Sequence, residues 1–165
     1  MKRCYLLIGA NLGDVKANIE KSLILIAKKV GNIVAQSSLY QSEPWGYEST
    51  NIFYNICLEV NTHLSPLELL DITQEIELEI GRTSKTKKGY EDRLIDIDVL
   101  DYDGYILNSE RLTLPHPRLH QRAFVLTPLF EIAPEFVLSS SNITISELIK
   151  DCDDKLGVVK CDFQL

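Results

Sequence analysis

Asp96 and Asp98 stand one residue apart inside "RLIDIDVL", a run whose other members, Leu94, Ile95, Ile97, Val99 and Leu100, are those of a buried strand. Successive side chains along a strand alternate faces, so the two carboxylates share one face about 7 Å apart while Ile95, Ile97 and Val99 take the other. Carboxylates placed this way can hold a pair of magnesium ions, which in turn can neutralise a polyphosphate. A bare D-x-D in an acidic chain is more often a solvated strand face. The neighbouring segments therefore decide.

The segment before the strand, "RTSKTKKGYEDR", sets five cations (Arg82, Lys85, Lys87, Lys88, Arg93) against two acids (Glu91, Asp92), a local +3 in a chain of net charge −7. With Gly89 and no apolar periodicity it predicts a flexible basic loop, and such runs are ordinarily solvated. Beside a carboxylate pair, however, a cationic loop is what transfer from a nucleoside triphosphate requires: metal on the bridging oxygens, cations on the developing charge, and a lid that excludes water. A second cluster, "ERLTLPHPRLHQRAF", holds Arg111, Thr113, His116, Arg118, His120 and Arg122. Guanidinium forks suit phosphate oxygens. Pro117 disfavours a helix running on from His116, so His116 and His120 are not expected to ligate metal as an i, i+4 pair. His116 is left with either a phosphate contact or a structural hydrogen bond. No G-x-x-x-x-G-K-[ST] occurs, so a bound nucleotide does not rest on a P-loop, and "GANLG" at Gly9 to Gly13 reads as a turn shaping a pocket wall.

Elements must hold these residues in place. "RCYLLIGANLGD" predicts a strand and turn, and Ile19, Leu23, Ile26 and Val30 give a helix closing at Gly31. "NIVAQSSLYQSEP" and "IFYNICLEVNT" predict two paired strands joined by the polar stretch Pro44 to Asn51. Ser65, Pro66, Glu68 and Gly81 mark a capped helix whose inner face is read as Leu67, Leu70, Ile76 and Ile80. After the carboxylate strand come a short hairpin (Tyr102 to Leu107, Leu112 to Leu114), a helix broken by two prolines in "HQRAFVLTPLFEIAPEF", and a last short helix in "TISELIKD". The order β, α, β, β, α, β predicts an α+β ferredoxin-like sandwich, an antiparallel sheet with helices mainly on one face.

With 165 residues and 45% hydrophobic content, the chain is expected to form a single domain, residues 1–165, with a core that needs no staples. Net charge −7 and pI near 5.0 argue against nucleic acid or an anionic membrane as partner, so an anionic ligand must find a local basic patch. Cys4, Cys57, Cys152 and Cys161 show neither zinc-site nor disulfide-scaffold spacing, which suits a reducing, cytoplasmic compartment. The apolar run after Lys2 and Arg3 ends too early for a signal peptide, and no run approaches a membrane span.

Taken in order, "LIGANLGD", "YQSEPWG…FYN", "TQEIELEIGR", "RLIDIDVL" and "RLTLPHPRLHQRAFVLTPLFEIAP" resemble the 6-hydroxymethyl-7,8-dihydropterin pyrophosphokinase family of folate biosynthesis, from about residue 4 to residue 136. The resemblance implies a monomeric enzyme that passes the pyrophosphoryl group of ATP to the pterin hydroxymethyl oxygen with two Mg2+ ions. It implies Asp96 and Asp98 as metal ligands, and Phe53, Asn55, Phe124, Ser42, Pro44 and Trp45 around the pterin. It implies Gln74, Glu77, Lys85, Arg111, Thr113, His116 and Arg122 on the ATP side, with Arg82 and Arg93 as the catalytic cations. Aromatic faces and a two-way amide suit a flat, donor-rich heterocycle. Read without the resemblance, Phe53 and Phe124 are ordinary core residues.

The chain departs from the family pattern at Glu91 and Asp92, where glycine and a small residue or proline are usual; a tether for Arg93 or a nearby lysine is one reading of them. Lysines stand at 85, 87 and 88 where arginine is commoner, Tyr90 takes the place of the loop aromatic, and Pro117 follows His116. Two rival readings remain at this level. A non-catalytic ferredoxin-like module that binds a small ligand or a partner protein would show, in Asp96→Ala and Asp98→Ala, a ligand affinity indifferent to magnesium. A transferase with a different acceptor would be indifferent to Asn55→Leu in pterin binding.

Overall fold

The computed structural model describes residues 1–81 and 92–162. β1 (Lys2–Ala10), α1 (Val15–Lys29), β2 (Gly31–Gln36), β3 (Tyr40–Ser42), β4 (Phe53–Thr62), α2 (Pro66–Ile80) and β5 (Asp96–Tyr102) follow the expected βαββαβ order, with the second strand split in two. At the split, Ser37 N–H donates to the Cys57 carbonyl, but the Cys57 N–H is taken by the Ser37 hydroxyl, both at 2.9 Å, so a side chain interrupts the ladder. β6 (Leu107–Asn108) and β7 (Thr113–Leu114) form the expected hairpin. A 3-10 turn (Leu119–Gln121), α3 (Ala123–Ile132), the small ladder of β8 (Val137–Leu138) and β9 (Ile143–Thr144), α4 (Ile145–Asp151) and β10 (Val158–Lys160) complete the chain.

β1 is central in the main sheet, antiparallel to β4 on one side and β5 on the other, while β2 and β3 share the far edge of β4 and β10 pairs with β3. This is the ferredoxin-like arrangement. α1 begins at Asp14, whose carboxylate accepts the Ala17 N–H at 3.1 Å. α2 has the full capping box of Ser65 and Glu68, and Gly81 closes it at φ 118°, a left-handed conformation that costs glycine little.

Each sheet face has its own core. Under α1 and α2 lie Leu6, Ile8, Ile26, Ile56, Leu58, Ile76 and Ile97; under α3 and α4 lie Leu7, Cys57, Leu100, Leu119, Leu126 and Leu129. Two expectations change. The inner face of α2 runs through Leu69, Leu70, Thr73 and Ile76, and Leu67 is exposed, because Leu67, Leu69 and Leu70 offer a helical period two possible starting points. Pro128 lies inside α3 instead of breaking it, forfeiting one intrahelical bond while buried with Val125, Leu126 and Leu129; Pro134 stands beyond the helix end.

Candidate active site

Strand pairing places the key residues in one row. Gly9 of β1 is opposite Asp96 on β5 and opposite Asn55 on β4, so all three share the sheet face away from α1 and α2. With strands about 4.8 Å apart, Asp96 and Asn55 are about 10 Å apart across a position that carries no side chain. One step along, Asp98, Leu7 and Cys57 form the next row, and Leu7 and Cys57 are buried. Asp98, half-buried, is the polar member of that row. Phe53, two residues before Asn55, shares its face.

Asn55 is 2% exposed, and its Nδ2 donates to Ser42 Oγ at 2.9 Å. Its Oδ1 stands above Gly9, 3.1 Å from where a Cβ at residue 9 would be. The glycine thus leaves an acceptor oxygen and an aromatic edge, Phe53, facing the gap. Phe53 meets Tyr47 edge-on at 6.4 Å. Phe124, in the first turn of α3, is half-buried; the Arg122 guanidinium lies 5.6 Å from its ring and 4.7 Å from that of Trp45, and the Arg118 guanidinium lies 6.0 Å from Trp45. The segment 43–52, carrying Pro44, Trp45 and Tyr47, therefore connects the two phenylalanines.

On the carboxylate side, Arg93 Nη1 lies 2.5 Å from Asp96 Oδ2, with the side chains 14% and 17% exposed. Arg122 is 5% exposed; burial lowers its pKa, Asp98 and Asp96 oppose that, and Arg118 and Arg93 add to it. Two acids thus sit among three arginines. His116 has its pKa pushed down to about 4, first by burial and then by Arg122, so it is neutral at pH 7. Its Nδ1 accepts the Arg118 N–H at 3.2 Å, which puts the proton on Nε2, a neutral donor. Both readings of His116 left open by the sequence are thereby compatible.

Glu77 is 2% exposed, and its Oε1 accepts the Ile97 N–H at 2.8 Å, fastening β5 between the two aspartates. Gln74, one turn earlier on α2, is half-buried. Arg111 pairs with Asp71 on α2 and is exposed, which lays the β6–β7 hairpin, with Thr113, beside the helix face that carries Gln74. Arg82 and Lys85 lie outside the described residues, as do Lys87, Lys88, Tyr90 and Glu91. The sequence reading missed Asn11, Tyr47 and Asn51, whose side chains all converge on Asp92. Their polar character was legible, but partners 41 to 81 residues apart were not.

Among the described residues no group of three or more His, Cys, Asp or Glu could cage a metal. A two-carboxylate platform of hard oxygens still fits magnesium, which keeps water and takes substrate phosphates as its remaining ligands. A family model described as 7,8-dihydro-6-hydroxymethylpterin-pyrophosphokinase (HPPK) matches residues 5–134. The 2-amino-4-hydroxy-6-hydroxymethyldihydropteridine pyrophosphokinase of Porphyromonas gingivalis is 43% identical over 132 residues, 79% of this chain and 90% of that one. The same-named protein of Bacillus subtilis is 38% identical over 156 residues, 93% and 92% of the two chains. A wild-type Plasmodium falciparum HPPK-DHPS crystal structure matches 90% of this chain with a TM-score of 0.74 at 18% identity. That likeness speaks to the fold alone, and this chain spans 44% of that one, less than half its length. Matched along most of its length, the chain belongs to the 7,8-dihydro-6-hydroxymethylpterin-pyrophosphokinase family.

Proposed function

We propose that the row Asp96–Gly9–Asn55 is where ATP and the pterin meet, with the carboxylates serving the phosphates and Asn55 serving the heterocycle. The reaction is that of the family: the pyrophosphoryl group of ATP passes to the hydroxymethyl oxygen of 6-hydroxymethyl-7,8-dihydropterin, a step of folate biosynthesis. The pterin oxygen bonds to the β-phosphorus, the bond from that phosphorus to the α,β-bridging oxygen breaks, AMP leaves, and the hydroxyl proton is released to water.

The observation that carries this assignment is the single pairing of Gly9 with both Asp96 and Asn55. Asn55, with Ser42 behind it, holds an edge of the ring, and Phe53 and Phe124 supply its faces. Pro44 and Trp45 close the pocket. Asp96 and Asp98 would hold two Mg2+ ions, which supply charge neutralisation of the transferring phosphates. Arg93 and Arg122 supply fixed positive charge, and His116 a neutral N–H, toward the same oxygens. Gln74, Glu77, Arg111 and Thr113 line or brace the nucleotide side, and Arg82 and Lys85 are assigned there by family resemblance. Positioning and charge account for the catalysis, and no strong general base is needed.

We read the enzyme as one domain, residues 1–165, and as a monomer. Its four cysteines are free, which fits a cytoplasmic setting, and no helix of the described residues is long and apolar enough to cross a membrane. Supplied with ATP, magnesium and the pterin alcohol, the protein should release AMP and the pterin diphosphate. Release of ADP, or no turnover by folded protein, would overturn the reaction.

A further inference from the structure

Asp92 is an acid in a segment that should favour phosphate, yet its carboxylate is committed to other parts of the chain. Oδ1 accepts from Asn11 Nδ2 at 2.7 Å and from Tyr47 OH at 2.9 Å, and Oδ2 accepts from Asn51 Nδ2 at 2.6 Å. Burial raises its pKa, but hydrogen bonds from Ser49, Asn11, Asn51 and Tyr47 outweigh that and hold it below the ordinary carboxylate range. Asn11, 6% exposed, in turn grips the backbone of Arg93: its N–H donates to the Arg93 carbonyl at 3.1 Å, and its Oδ1 accepts the Arg93 N–H at 2.8 Å. One carboxylate thereby joins the turn after β1, the 43–52 segment and the approach to β5.

We infer that Asp92 is a positioning residue that sets the pterin-side segment 43–52 and Arg93 in one arrangement. At one end of the clasp Tyr47 meets the Phe53 ring; at the other, Arg93 lies against Asp96. The catalysis proposed above depends on placing two substrates, so a brace between their two sides acts on the reaction without touching either one. The inference rests on that reading for its kinetic consequence but not for the clasp itself. Asp92→Ala removes the contacts to Asn11, Tyr47, Ser49 and Asn51 together. Asp92→Asn keeps the size but turns one oxygen into a donor that faces a donor.

The test combines amide hydrogen exchange of residues 43–52 in the ligand-free protein with AMP-release kinetics at saturating ATP. In both variants exchange should quicken about tenfold, and the pterin KM should rise about tenfold while kcat falls less than about threefold. Folded variants with wild-type exchange and wild-type KM would overturn the inference. So would a fall in kcat at constant KM, which would put Asp92 in the chemistry. Should the Asp92 variants not fold, Asn51→Ala removes one arm, and faster exchange with a higher pterin KM supports the clasp while unchanged values overturn it. If wild-type protein makes no AMP, the assigned reaction fails, and the exchange measurement, made without substrates, still decides the clasp.

Discussion

The two faces of the central sheet differ in how fully they are covered. Below α1 and α2 the sheet presents an unbroken aliphatic layer from Leu6 and Ile8 through Ile56 and Leu58 to Ile97 and Val99. On the opposite face the layer with α3 and α4 takes in Leu7, Cys57 and Leu100, and it is broken by Asp98 beside Leu7 and by the row of Asp96, Gly9 and Asn55. The same three strands thus build a sealed core on one side and the candidate site on the other. Period-2 alternation keeps the two faces apart: under the proposed assignment a change at Ile97 should act on folding, and a change at Asp96 or Asp98 on the reaction.

The largest effect expected is on the open face. Asp96→Asn or Asp98→Asn should lower kcat by about a thousandfold or more and abolish the magnesium dependence of nucleotide binding, with a melting temperature within a few degrees of wild type. Steady-state kinetics, nucleotide titration with and without magnesium, and a thermal melt check it. The sealed face should give the converse. Ile26→Ala, at a fully buried position of α1, should cost about 3 kcal/mol in denaturant unfolding and leave the pterin KM of the folded fraction unchanged.

His116 gives an effect of similar size with a distinct pH signature. Its pKa in the folded protein is about 4, against an ordinary 6.5, so between those values the unfolded chain binds a proton that the folded protein refuses. This contribution to stability is fully present above about pH 6.5 and is lost as pH falls toward 4, to a total of about 3 kcal/mol. Unfolding free energy measured from pH 7 to pH 4 should slope less in His116→Asn than in wild type; equal slopes would contradict the burial of a neutral ring. The smallest effect is the most local. In Gly9→Ala the new Cβ would meet Asn55 Oδ1 at 3.1 Å, so the amide must shift, and the pterin KM should rise about tenfold with little change in the ATP KM.

What the sequence made legible follows from which patterns are local. The D-x-D alternation placed Asp96 and Asp98 on one face, and the Ser65–Glu68 box with Gly81 bounded α2, because each is set by neighbours within a few residues. The inner face of α2 was displaced because three leucines within four positions satisfy more than one helical phase, and only contact with the sheet selects Leu69 over Leu67. Local propensity opposes Pro128 inside a helix, and burial of α3 against β4 overrides that preference. Asp92 was the residue least explained by the sequence. Its partners lie at 11, 47 and 51, and nothing within its own segment signals them. The basic segment 82–91 lies outside the described residues, so the roles given to Arg82 and Lys85 rest on resemblance.

A crystal structure of the protein with magnesium, a non-hydrolysable ATP analogue and 6-hydroxymethyl-7,8-dihydropterin tests the central claim most directly. The pterin should lie over Gly9 with Asn55 on its edge and Phe53 and Phe124 on its faces, metal should sit on Asp96 and Asp98, and the hydroxymethyl oxygen should point at the β-phosphorus. A pterin bound away from Gly9, or metal held without either aspartate, would contradict the account.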